Sequence, residues 1–286
     1  MTRYADAVLA LTSLIWGAMF VIAKAALADV SSAYYLALRF TLAAAVLGAV
    51  FRKKLVWSGA GFGLGAVLML GYLLQTVGLR TTTPAKSAFL TGGYIVMVPF
   101  FSWFVYRNVP RVAEMIGVVT AAAGMGLLTM QAEGFAVAPG DWLTIGGAAA
   151  FAVHIVLLGH LAARIPSEGL TFLQISGAAA LAWGLLPWEG APTVRWRPAV
   201  VLAIVAGALL ATALAFYLQT WAQQYVSPTR AALIFALEPV FAWVVAWWWT
   251  GEVFTPRAAA GAALILAGVV IVELKPNRRA AHPLEK

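Results

Sequence analysis

Few side chains in this chain of 286 residues have the type and placing to do chemistry. Glu238 falls some ten residues past Pro228, inside an apolar stretch, and His154 falls midway along another. A carboxyl buried there can bind a substrate ammonium group or carry a transported proton. It can equally be a structural carboxyl bonded to a neighbouring helix, next to Pro239, whose ring leaves a backbone carbonyl unpaired. His154, an imidazole that ordinarily titrates near neutral pH, suits proton handling, a hydrogen bond to substrate, or a satisfied neutral ring. Gln75 and Gln219 offer amides that can hold a zwitterion without a fixed charge to trap it, or can join helices. Arg39 also lies in an apolar stretch, where a carbonyl partner or the membrane interface competes with substrate contact. Lys86 and Arg230 stand just inside two such stretches, placed either to draw in a carboxylate or to snorkel. The chain has no cysteine, and its histidines are His154, His160 and His282, with no HExxH run. Thiol chemistry, disulfides, a metal site and a cofactor are therefore not expected. Nothing pairs two carboxylates or sets a nucleophile beside a base, so binding and movement are expected here, not catalysis.

The elements that must position these groups are membrane helices. Apolar residues make up 63% of the chain and charged ones 10%, against about 45–50% and about 25% in soluble domains. So few charges cannot cover a water-facing surface, and a lipid bilayer is the expected surroundings. The net charge of +8 sits in short segments between apolar stretches, which marks topology rather than a nucleic-acid partner. A bilayer core needs roughly 20 helical residues. Cutting at charged, Pro and Gly punctuation predicts spans at 5–27, 33–51, 59–79, 84–106, 111–130, 141–163, 168–186, 198–224, 228–249 and 256–274. The stretches are continuously apolar, which excludes a β-barrel. Basic residues, above all the Arg52-Lys53-Lys54 run and the C-terminal tail, place both termini in the cytoplasm. Trp57, Trp103, Trp142, Trp188, Trp196 and Trp247-Trp248-Trp249 fall near span ends, as an interfacial belt does.

The halves repeat. Leu74-Gln75-Thr76 returns as Leu218-Gln219-Thr220 at an offset of 144, and in that register Thr83-Pro84 meets Ser227-Pro228, Lys86 meets Arg230, Gly117 meets Gly261 and Gly124 meets Gly268. Five spans per copy is an odd number, so the second copy enters the membrane upside down. The expected fold is an all-α integral membrane protein of ten helices in two inverted five-helix repeats, 5–130 and 141–274, the architecture from which many secondary transporters build two gates. Pro99 is displaced by four residues from the position equivalent to Pro239, which predicts that the two gates differ.

Leu14-Ile15-Trp16-Gly17, Leu38-Arg39-Phe40, Thr83-Pro84-Ala85-Lys86-Ser87-Ala88 and Leu237-Glu238-Pro239-Val240-Phe241, in this order over nearly the whole chain, resemble the EamA family of the drug/metabolite transporter superfamily. Within it the chain looks like YddG-type exporters of aromatic and other amino acids. The resemblance implies a central cavity lined by spans one, three, four, six, eight and nine, with two, five, seven and ten peripheral. Trp16, Tyr72, Tyr94, Tyr217 and Trp243 lie deep on the implied lining spans, where a flat substrate side chain could stack. Together with Gln75, His154, Gln219 and Glu238 they are the expected substrate-binding residues. The function so implied is export of amino acids and related amphipathic metabolites across a bacterial inner membrane by alternating access, from a monomer with no cofactor. Export of other metabolites or of cationic aromatic drugs is the alternative; a lipid-modifying enzyme or a channel fits the residues less well.

Overall fold

A computed structural model describes residues 2–82, 84–107, 109–129, 138–250 and 255–273. It is helical throughout: α1 Thr2–Ala26, α2 Ser32–Val50, α3 Gly59–Leu79, α4 Pro84–Gly92, α5 Tyr94–Tyr106, α6 Val112–Thr129 and α7 Pro139–Ala162, then α8 Ser167–Glu189, α9 Pro198–Ala208, a π segment Leu209–Leu214, α10 Ala215–Ala222, α11 Pro228–Phe235, α12 Glu238–Thr250 and α13 Pro256–Glu273. Eight stretches are helical, long and apolar enough to cross a bilayer, and Val112–Leu128 and Pro256–Val272 are shorter apolar helices. The chain is a multi-pass membrane protein. The expected ends of the fifth and tenth spans, 130 and 274, and Thr83 of the Thr-Pro pair lie outside the described residues.

Local chemistry sets the boundaries. Pro starts α7, α9, α11 and α13, where a missing N–H costs nothing. The Ser58 and Ser227 hydroxyls cap α3 and α11 by accepting from the Gly61 and Arg230 N–H groups. Three spans are interrupted, the fourth at the Gly92-Gly93 pair whose composition allows a helix to loosen. The fourth span breaks at Gly93, between α4 and α5; the ninth breaks at Ala236 and Leu237, between α11 and α12; the eighth carries the π segment. At the repeat offset Gly93 corresponds to Leu237, so the two breaks are equivalent even though Pro99 and Pro239 are not. The turns, rather than the prolines, mark the corresponding places.

The inversion is visible in the packing of α6 against α13. A Cβ at Gly117 would stand 2.8 Å from the Gly268 carbonyl oxygen, and one at Gly124 would stand 2.6 Å from that of Gly261. Advancing along α6 therefore means retreating along α13, so equivalent helices run antiparallel. The crossed pairing is also its own mirror: exchanging each glycine for its repeat mate turns the first contact into the second. Such backbone approach is possible only without side chains, which explains both glycine pairs.

Buried residues form two large apolar clusters, one around Tyr35, Leu36, Phe40 and Phe216, the other around Ile95, Met125, Ile234 and Phe235. Trp16 and Phe151 pack against both. At the helix ends Trp57 and Trp188 are each 81% exposed and Trp142, Trp196 and Trp248 are also open, as a belt requires.

Candidate functional site

Between the two clusters lies a cavity lined by residues of both. Seven of the nine expected binding residues line it: Trp16, Tyr72, Gln75, Tyr94, His154, Gln219 and Glu238. Tyr217 does not. Its ring lies 5.0 Å from that of Phe51, near the Lys54–Glu168 ion pair. It follows Phe216, which takes the inward direction, about 100° around the helix from it. Trp243 is also outside the lining, half-buried further along α12. The implied list of lining spans needs one addition, because span two contributes Tyr35 and Arg39.

Arg39 is the residue the sequence reading misplaced. It is 5% exposed. Its Nε donates to the Gly207 carbonyl at 3.2 Å and the Thr212 hydroxyl at 2.8 Å, and its Nη2 faces the Ala211 carbonyl at 3.3 Å and the Tyr72 hydroxyl at 3.4 Å. The guanidinium also lies 4.9 Å from the Tyr72 ring centroid, within cation–π range. The π segment makes this possible. It carries the Thr212 hydroxyl and the Ala211 carbonyl, which also accepts from the Trp16 indole Nε1 at 2.9 Å. A carbonyl partner for Arg39 was among the expected outcomes; a place in the cavity wall was not the favoured one.

Around the cavity the polar groups are tied to one another. Gln75 Nε2 donates to Thr91 Oγ1 at 3.0 Å. His154 Nε2 sits 2.7 Å from Gln174 Oε1, whose amide nitrogen donates in turn to Thr220 Oγ1 at 3.1 Å. Gln219 Nε2 donates to Gln223 Oε1 at 3.0 Å, and Gln223 Nε2 to the Ile155 carbonyl at 2.9 Å. The Gln219 Oε1 is buried without a hydrogen-bond partner among the described residues. Gln174 and Gln223 were not singled out from sequence. Their only signal was a polar residue in an apolar span.

Glu238 is 7% exposed and opens α12 directly after the break. The Tyr94 hydroxyl points at its Oε2 from 3.4 Å, and Tyr94 opens α5 in the same way. The two are 144 residues apart, which makes them repeat mates. A residue touches its own mate only at the two-fold axis, so this pair marks the centre of the molecule. Gly17 permits it: a Cβ there would stand 2.7 Å from the Glu238 carbonyl oxygen.

Mates can be followed around the whole cavity. The first two helices of each repeat match at an offset of 135, as Asp6 with Asp141 and the helix starts Ser32 with Ser167 show. Trp16 then answers to Phe151, Met19 to His154 and Arg39 to Gln174, while Tyr72 answers to Phe216 and Gln75 to Gln219. The scaffold is symmetric, and its charges are not: Arg39 and Glu238 each stand opposite a neutral mate.

Lys86 and Arg230, expected either to draw in a substrate carboxylate or to snorkel, are ion-paired within the protein. Lys86 Nζ reaches Asp141, and Arg230 holds Asp6 in a two-pronged bond of 2.8 and 2.7 Å. One pair joins α4 to α7 and the other α11 to α1, so they are the same lock at opposite faces. On the N-terminal face Tyr106 also donates to the Val156 carbonyl and Gln224 to that of Ala162, and on the opposite face Lys24 donates to the Leu79, Arg80 and Thr82 carbonyls while Glu189 accepts from the Ser32 and Ala33 N–H groups. The cavity wall runs out to Leu79 and Ala23 on the opposite face.

Two copies of one family model, the EamA-like transporter family, match residues 3–130 and 138–274. An uncharacterized transporter of Archaeoglobus fulgidus is 34% identical over 274 residues, covering 95% of this chain and 86% of its own. The uncharacterized transporter YoaV of Bacillus subtilis is 24% identical over 288 residues, covering 93% and 96%. A solved crystal structure shares the fold with a TM-score of 0.81 at 22% identity, over 96% of this chain and 98% of that one.

Proposed function

Since the chain belongs to the EamA-like transporter family, we propose that it exports amino acids, aromatic ones included, and related amphipathic metabolites across a bacterial inner membrane. Both termini lie in the cytoplasm, and access alternates as the two repeats rock about the Tyr94–Glu238 axis. One observation carries this reading: the cavity on the axis combines an aromatic wall with a buried acid and amides that tolerate a zwitterion. Trp16, Tyr72, Phe151 and Phe216 surround a space where a flat side chain stacks. Glu238 and the unpartnered Gln219 Oε1 accept from the substrate ammonium. His154 and Gln75 complete the polar rim.

The matched locks support alternation. Each restrains one face and each spans both repeats, so opening one side requires releasing one pair while the other holds. Reconstitution in liposomes with labelled tryptophan, phenylalanine and leucine tests the function. Saturable flux is expected for at least one of them, and absence of saturable flux for all would reject the substrate class.

A further inference from the structure

We propose that Arg39 is the carboxylate anchor of the cavity, so that the substrate lies in one orientation, acid end on the second helix and ammonium end at Glu238. This deepens the amino-acid reading and rests on it for the ammonium end only.

The inference starts from a missing counter-ion. A guanidinium in a membrane interior is costly unless something compensates its charge. Among the described residues no acidic side chain lies within ion-pair distance of Arg39. What surrounds it is dipolar: two backbone carbonyls, the Thr212 hydroxyl, the Tyr72 and Tyr35 hydroxyls and a ring face. These hold the side chain still without neutralising it. The hydrogen bonds to the carbonyls, to Thr212 and to Tyr72 use Nε and Nη2, and Arg39 lines the cavity. A guanidinium held through Nε and Nη2 in the wall of a cavity has the planar donor set that takes a carboxylate.

The second observation is the symmetry of the wall. In matched halves, the mate of Arg39 is Gln174, whose amide is spent on His154 and Thr220. The mate of Glu238 is Tyr94. The positive and negative groups thus come from different repeats and meet no partner of their own kind across the axis. Neither forms an ion pair with the other among the described residues. A ligand with both charges bridges them. A bare organic cation meets Arg39 with like charge, which sets this site against the cationic-drug alternative.

The test uses the purified full chain in detergent and equilibrium binding of four indole probes: tryptophan, tryptophan amide, tryptamine and indole-3-acetate. Tryptophan is expected to bind about ten- to a hundredfold tighter than its amide, the effect of one charge-assisted contact. Arg39→Gln is expected to erase that ratio, and Arg39→Lys to restore part of it. A structural role alone would shift thermal stability and leave the ratio intact. Should Arg39→Gln fail to fold, the wild-type ratio and the Arg39→Lys variant decide: equal binding of tryptophan and its amide overturns the inference. Arg39-dependent binding of indole-3-acetate without any binding of the amine-bearing probes would sustain Arg39 while rejecting the amino-acid reading. Binding of tryptophan and tryptophan amide with equal strength would do the reverse. No binding of any probe rejects both.

Discussion

At the scale of single residues, the cavity separates groups that hold a side chain from groups that hold a charge. Glu238 accepts from Tyr94 at the axis, at the long distance of 3.4 Å, so a stronger donor can displace that contact. Glu238→Gln is expected to lower the transport of an amine-bearing substrate about tenfold or more, the worth of a charge-assisted hydrogen bond. It should also abolish any pH dependence of flux that runs through this carboxyl. Transport assays between pH 6 and 8 check both, and unchanged flux with an unchanged pH response would remove Glu238 from the mechanism. Tyr217→Phe, by contrast, is expected to leave transport within about twofold of wild type, because the ring packs on Phe51 away from the cavity. Sequence gave most of this inventory because polar residues in apolar stretches are few and each demands a reason. It placed Tyr217 wrongly because depth along a helix was legible and direction around it was not. The carbonyl partners of Arg39 were expected, but its place in the cavity wall depends on a π segment that no residue in Leu209–Leu214 announces.

Among elements, the close approaches are set by glycine. At Gly17 a Cβ would stand 2.7 Å from the Glu238 carbonyl oxygen and 2.9 Å from the Ala242 nitrogen, both backbone atoms of the ninth span. Gly17→Ala is therefore expected to push α1 from α12 and destabilise the fold by roughly 1–3 kcal/mol, as overpacking does. A fall in the melting temperature in detergent would register it. The locks make a paired prediction. Asp6→Asn removes the charge that holds Arg230 and is expected to raise the accessibility of a cysteine placed at Ser13 to a membrane-impermeant reagent. Asp141→Asn should do so for a cysteine at Ala23 and leave Ser13 unchanged. Equal effects of both variants on both positions would dissolve the claim of two separate gates. Both locks were half visible in the sequence, which supplied Lys86 and Arg230 as mates. Their acids lie at a different offset, 135 against 144, and only the fold brings the two registers together.

For the molecule as a whole, ten spans and their order were legible because hydropathy is a one-dimensional property, and the inversion followed from five being odd. The break of the fourth span falls at the Gly92-Gly93 pair, where the composition allowed it, whereas that of the ninth, at Ala236-Leu237, has no glycine to announce it. Single cysteines at Trp57 and at Gly190 are expected to be labelled from opposite sides of the membrane, with Trp57 cytoplasmic. The contact at the centre has one more implication. Had this been a dimer of identical halves, the position that touches itself would bring like against like, two phenols or two mutually repelling carboxylates. Joining the halves into one polypeptide frees that position to differ from its twin. A duplicated gene can thus polarise the very spot where a homodimer must stay self-complementary, and the tyrosine facing a glutamate is what that freedom has been used for.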